Sequence, residues 1–207
     1  MALVPQPLSR QALGELTRNI GAAPDVRALA ALSARHAGSF DALHHAALCG
    51  AAAKAPGGAP GGRALALGLF AQHARAWLAC PRGSFGREGR AAANILYSAA
   101  RLRLEDGGLV RDLAEEAARL APTFIAQNAS NSLWALATLG VADDALVRPI
   151  AFTAARLAPT LKTQEAANSL WALATLGVAD DALVRPIAAT AVRLAPMFNA
   201  QDAANSL

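Results

Sequence analysis

The sequence predicts an all-α protein, a solenoid of stacked helical hairpins, on three observations. Its 207 residues include 55 Ala and 30 Leu but only 8 Val and 5 Ile. Ala and Leu are strong helix formers, whereas strands draw on β-branched and aromatic residues, so a sheet-based fold is excluded. Hydrophobic residues make up 54% of the chain and charged ones 16%, a balance that excludes disorder. The third observation is an internal repeat. The string from Asn131 to Gly140 returns at Asn168 to Gly177, a period of 37 residues, and blocks 128–164 and 165–201 are identical at 29 of 37 positions.

The remaining elements fall into the same register. Asn94 precedes Asn131, Asn168 and Asn205, and Tyr97 precedes Trp134 and Trp171. Regular repeats therefore span 91–127, 128–164 and 165–201, and 202–207 begins another. Residues 1–90 hold decayed copies: 26–40 aligns without gaps on 184–198, 41–54 reads as a first helix and 64–79 as a second. Gly/Pro-rich segments at 55–62 and 81–89 interrupt them. The chain ends at Leu207 within a hairpin that has no polar cap, which leads us to expect a truncated array.

Each repeat predicts two helices. The first (helix A) starts near Gln127 or Gln164 and stops at Gly140 or Gly177, glycines suited to a left-handed cap. Within it Ala166, Leu170 and Leu173 form one apolar line and Ala167, Trp171 and Ala174 the next, a wide buried face. On this spacing Trp134 and Trp171 are expected in the core rather than free to stack on bases. Asp143-Asp144 and Asp180-Asp181 supply a cap and a favourable charge for the second helix (helix B). Pro149 and Pro186 imply that helix B either kinks there or begins there. Pro122, Pro159 and Pro196 break the chain before the next hairpin.

The repeated Ala-Ala-Asn-Ser-Leu-Trp-Ala-Leu-Ala-Thr-Leu-Gly string resembles the octotricopeptide repeat, and the helical class of RAP-domain and FAST-kinase-like organellar proteins. The resemblance is strong over 91–207 and weak over 24–54. It implies single-stranded RNA binding along the helix A face, in processing, stability or translation of transcripts in a chloroplast or mitochondrion. An alternative from the same architecture is a HEAT/armadillo-like scaffold for protein partners, cytoplasmic or a secreted bacterial effector.

The candidate RNA-binding residues are Asn128, Asn131, Glu165, Asn168, Asp202 and Asn205 on helix A, with Arg148, Arg185 and Lys162 as cations. Amides recurring once per repeat can read base edges. They can equally form a hydrogen-bond ladder between repeats. The differences Asn128/Glu165, Ser130/Ala167 and 160–163 against 197–200 fit tuning of a recognition surface. The arginines either line up for phosphate or pair with the nearby aspartates.

Charge weakens the simplest nucleic-acid argument. The formal net charge is +4, yet residues 1–90 carry 10 Lys/Arg and 4 Asp/Glu, whereas 91–207 carry 9 and 11. The clear repeats are thus slightly acidic, although phosphate binding needs clustered cations. Arg10, Arg18, Arg27 and Arg35 are compatible with a transit peptide or with plain surface arginines on helices. The longest uncharged run, Leu120–Ala142, contains Pro122, Gln127, Asn128 and Asn131, so no membrane span is predicted. His45 and Cys49, at i and i+4, fall short of a metal set. Cys49 and Cys80 form no CxxC pair, and no GxxxxGK occurs. The expectation is a binding protein with no catalytic residue, no cofactor and no small-molecule substrate.

Overall fold

The computed structural model describes residues 10–55 and 61–205, and every regular element within them is helical. The chain divides into two compact units, 1–87 and 88–207. None of the described helices is long and apolar enough to cross a membrane.

The first unit contains α1 (Arg10–Ala22), α2 (Val26–His36), α3 (Ala42–Lys54) and α4 (Gly62–Ala79). α1 packs on α3 and α2 on α4, while α3 and α4 pair as a hairpin. Asp25 and Asp41 cap α2 and α3 by accepting the N–H groups of Ala28 and His44. His44 also ties α3 to α1, its Nε2 lying 3.1 Å from the Leu13 carbonyl. Three helices meet at a polar chain in the interior. Ser33 of α2 lies 2.8 Å from Nε2 of His73 on α4, whose Nδ1 lies 2.8 Å from Nδ1 of His45 on α3. Phe40 packs edge-on against both imidazoles. Cys49 is fully buried beside Phe70, and burial pushes its thiol up, which fits a core residue rather than a reactive one.

Burial holds the His73 imidazole at a lowered pKa of about 4, and burial likewise lowers His45, against a partial opposing effect of Asp41. Both are therefore neutral in the folded unit at pH 7. The unfolded chain takes up these protons near pH 6.5, so stability is complete above that value and falls as the pH drops from 6.5 through 4. We expect a loss on the order of 2 kcal/mol by pH 4, read as a lower urea midpoint. His73→Phe should flatten that pH dependence; an unchanged profile would rule out the histidine pair as its source.

The second unit contains α5 (Gly89–Leu102), α6 (Gly107–Leu120), α7 (Ala126–Leu139), α8 (Asp144–Arg156), α9 (Thr163–Thr175), α10 (Asp181–Leu194) and α11 (Ala200–Asn205). The odd-numbered helices pack in sequence, α5 on α7, α7 on α9 and α9 on α11, and the even-numbered ones likewise, α6 on α8 and α8 on α10. Single turns of 3-10 helix at 121–123, 158–160 and 195–197 follow α6, α8 and α10, each holding one of the expected prolines. Gly140 and Gly177 adopt φ of +70° and +71°, the left-handed geometry that lets the chain leave α7 and α9. Asp143 and Asp180 accept the N–H groups of Ala145 and Ala182, each at 3.0 Å, and so cap α8 and α10.

Pro149 and Pro186 lie inside α8 and α10, which start five residues before them. Helix B therefore does not begin at the proline. One backbone hydrogen bond is forgone near the helix start, where the burial of Leu146, Val147 and Ile150 holds α8 in place.

Candidate nucleic-acid interface

α7 is enclosed on three sides by α5, α9 and its hairpin partner α8. Ala129, Leu133, Ala135 and Leu136 are accordingly buried, and the alanines allow close approach. One side stays open. Gln127, Asn131, Trp134 and Thr138, at steps of four, three and four, share that side; Gln127 and Thr138 are exposed, Asn131 and Trp134 half-buried. The same pattern returns on α9 as Gln164, Asn168, Trp171 and Thr175. On α5 it reads Arg90, Asn94, Tyr97 and Arg101, with both arginines and Asn94 exposed. Because α5, α7 and α9 pack side by side, these stripes form rungs of one face.

Aromatic rings line the middle of this face. Tyr97 and Trp134 lie 5.1 Å apart between centroids with their planes tilted by 46°, a favourable aromatic pair across two helices. The tryptophans, expected in the core, are half-buried, so that each packs with part of its ring open. Three packed neighbours already cover the other sides of helix A, so its fourth side meets solvent. The spacing of three from Asn131 to Trp134, which sets both on one side of the helix, is the sequence signal for this open side.

The structure places the other candidate residues as follows. The Asn131 carboxamide makes no hydrogen bond among the described residues, so it takes no part in a ladder there. Asn168 holds the matching half-buried position. Asn128 is only 5% exposed and its Oδ1 accepts the Ile125 N–H at 3.4 Å, which removes it from the open face. Glu165 plays the equivalent role on α9, accepting the Lys162 N–H at 2.9 Å. The Asn128/Glu165 difference thus exchanges one helix cap for another. Ser130 is also internal: its hydroxyl donates to the Glu165 carbonyl at 3.0 Å, linking α7 to α9. The side chains of Asp202 and Asn205 lie outside the described residues.

Most of the helix B cations are engaged. Arg148 donates to Asp180 at 2.9 Å and Arg185 to Asp181 at 2.9 Å, and Arg111 lies 3.4 Å from Asp143. The aspartates that cap α8 and α10 thus also anchor the arginine one hairpin back, at Arg111 and Arg148. Of the two readings open for these arginines, a phosphate ladder or pairing with the nearby aspartates, the structure shows Arg148 and Arg185 in ion pairs. Lys162 is exposed and has no ion pair among the described residues, and the same holds for Arg90 and Arg101 on the α5 rung.

No group of three or more His, Cys, Asp and Glu side chains suited to a metal ion occurs among the described residues. No protein-family model matches the sequence, and no curated protein matches it either.

Proposed function

We propose that the second unit is an α-solenoid of 37-residue hairpins, similar to octotricopeptide repeats, that binds single-stranded RNA along its helix A face. The observation that carries this reading is the open stripe of amides and half-buried aromatic rings, repeated in register on α5, α7 and α9. Bases stack on such rings with little sequence preference, and carboxamides add hydrogen bonds to base edges. The protein acts by holding RNA rather than by transforming it. The resemblance supports a role in processing, stability or translation of transcripts in a chloroplast or mitochondrion.

The free cations set how salt should act. With Arg90, Arg101 and Lys162 as the phosphate contacts, log K should fall against log salt with a slope of about −2, roughly a 20-fold weakening between 50 and 200 mM. Filter binding with a random RNA pool measures this directly. No retention at low salt sinks the RNA reading, and a much steeper slope assigns binding to other cations. Asn131→Ala should weaken binding while leaving the melting temperature unchanged, because that side chain makes no hydrogen bond among the described residues.

A further inference from the structure

The near-identity of the two clear repeats makes each of their eight differences informative. One of them, Phe152 in α8 against Ala189 in α10, puts a bulky aromatic side chain 63% exposed on the helix B side. In α10 the guanidinium of Arg193 reaches back to the Pro159 carbonyl at 3.5 Å. Its counterpart Arg156, one turn from Phe152, makes no such bond and pairs with no acid among the described residues. Beside them runs a groove of about 500 Å³, walled by Pro122, Pro149, Phe152 and Leu183, with Arg148 and Arg156 at its edge.

We propose that this groove docks a short acidic segment of a partner protein, an apolar side chain entering between Pro149 and Phe152 while a neighbouring carboxylate meets Arg156. Charge complementarity selects this occupant. The walls are largely apolar, and Arg156 is the lining cation with no acid partner among the described residues, whereas Arg148 is held by Asp180 at 2.9 Å. One carboxylate matches one free guanidinium, whereas a nucleic-acid strand needs several cations in a row. Apolar walls with a few placed polar groups are typical of binding pockets in general. The site lies on helix B, apart from the amide and aromatic stripe of helix A, and does not depend on RNA binding there.

The test uses the full chain and a fluorescent synthetic peptide with a Leu-Phe pair flanked by aspartates, its counterpart with asparagines, and a uridine oligonucleotide. The acidic peptide should bind, and the asparagine version should bind about fivefold more weakly. Phe152→Ala restores the residue that the next repeat carries at this place, so it should fold normally and melt as the parent does. It should weaken the peptide about tenfold, and Arg156→Gln about fivefold. The proposal is overturned if the acidic peptide does not bind, if its binding ignores both substitutions, or if the oligonucleotide is the probe that Phe152→Ala releases.

Discussion

Replacing both Trp134 and Trp171 with alanine should lower RNA affinity by about 100-fold. Stacking of one base on one aromatic ring contributes about 1–3 kcal/mol, and each tryptophan presents a partly open ring on its own rung. Trp134→Tyr is the informative control, because Tyr97 occupies the same place on α5 and packs 5.1 Å from Trp134. The tyrosine variant should keep most of the affinity lost by alanine. Filter binding at constant salt measures both, with thermal melts checking that each variant folds. If the double variant binds like the parent, the rings are packing residues and the helix A face is not the RNA surface.

The second large effect concerns stability of the first unit. Trp77 is fully buried in α4 and its Nε1 donates to the Gly86 carbonyl at 2.8 Å. The Arg87 guanidinium lies 4.4 Å from the centre of its ring and donates to the Trp77 and Leu78 carbonyls. Gly86 itself has φ +88° and no room for a side chain, since a Cβ there would lie 2.4 Å from the Leu43 amide nitrogen. The loop after α4 is thus seated against α3 and clasped by one tryptophan. Trp77→Ala should cost about 3–5 kcal/mol through lost burial and the cavity left behind, and it also strips Arg87, 5% exposed, of its aromatic partner. Urea denaturation followed by circular dichroism measures the loss. Trp77→Phe should lose much less, and equal losses in the two variants would shift the weight from the cavity to the Gly86 hydrogen bond.

Much of the local structure was legible because it depends on near neighbours. Gly140 and Gly177 ended α7 and α9 as their freedom at positive φ implied, and Asp143 and Asp180 capped α8 and α10. Other features depend on which of several local bonds forms, or on residues far away in the chain. Pro149 looked like a possible helix start, yet a buried row around it holds α8 continuous from Asp144. Asn128 looked like a surface amide and closes the end of its own helix instead. Ser130 looked like part of a variable surface and bridges α7 to α9. The link between Ser33, His73 and His45 spans 40 positions and could not be read from any local spacing.

What the sequence by itself determined is the helical class, the 37-residue period and the punctuation of each hairpin. These follow from the propensity of Ala and Leu and from the special backbone geometry of Gly, Asp and Pro, which act within a few residues. Tertiary structure alone decided which side of each helix A remains open, and therefore that Trp134 and Trp171 meet solvent. It also decided that Arg148 pairs with Asp180, 32 residues on, while Arg156 has no acid partner among the described residues. The physical reason is that exposure and charge pairing belong to the packing between successive hairpins, and a helix with several apolar sides does not announce which of them its neighbours will cover.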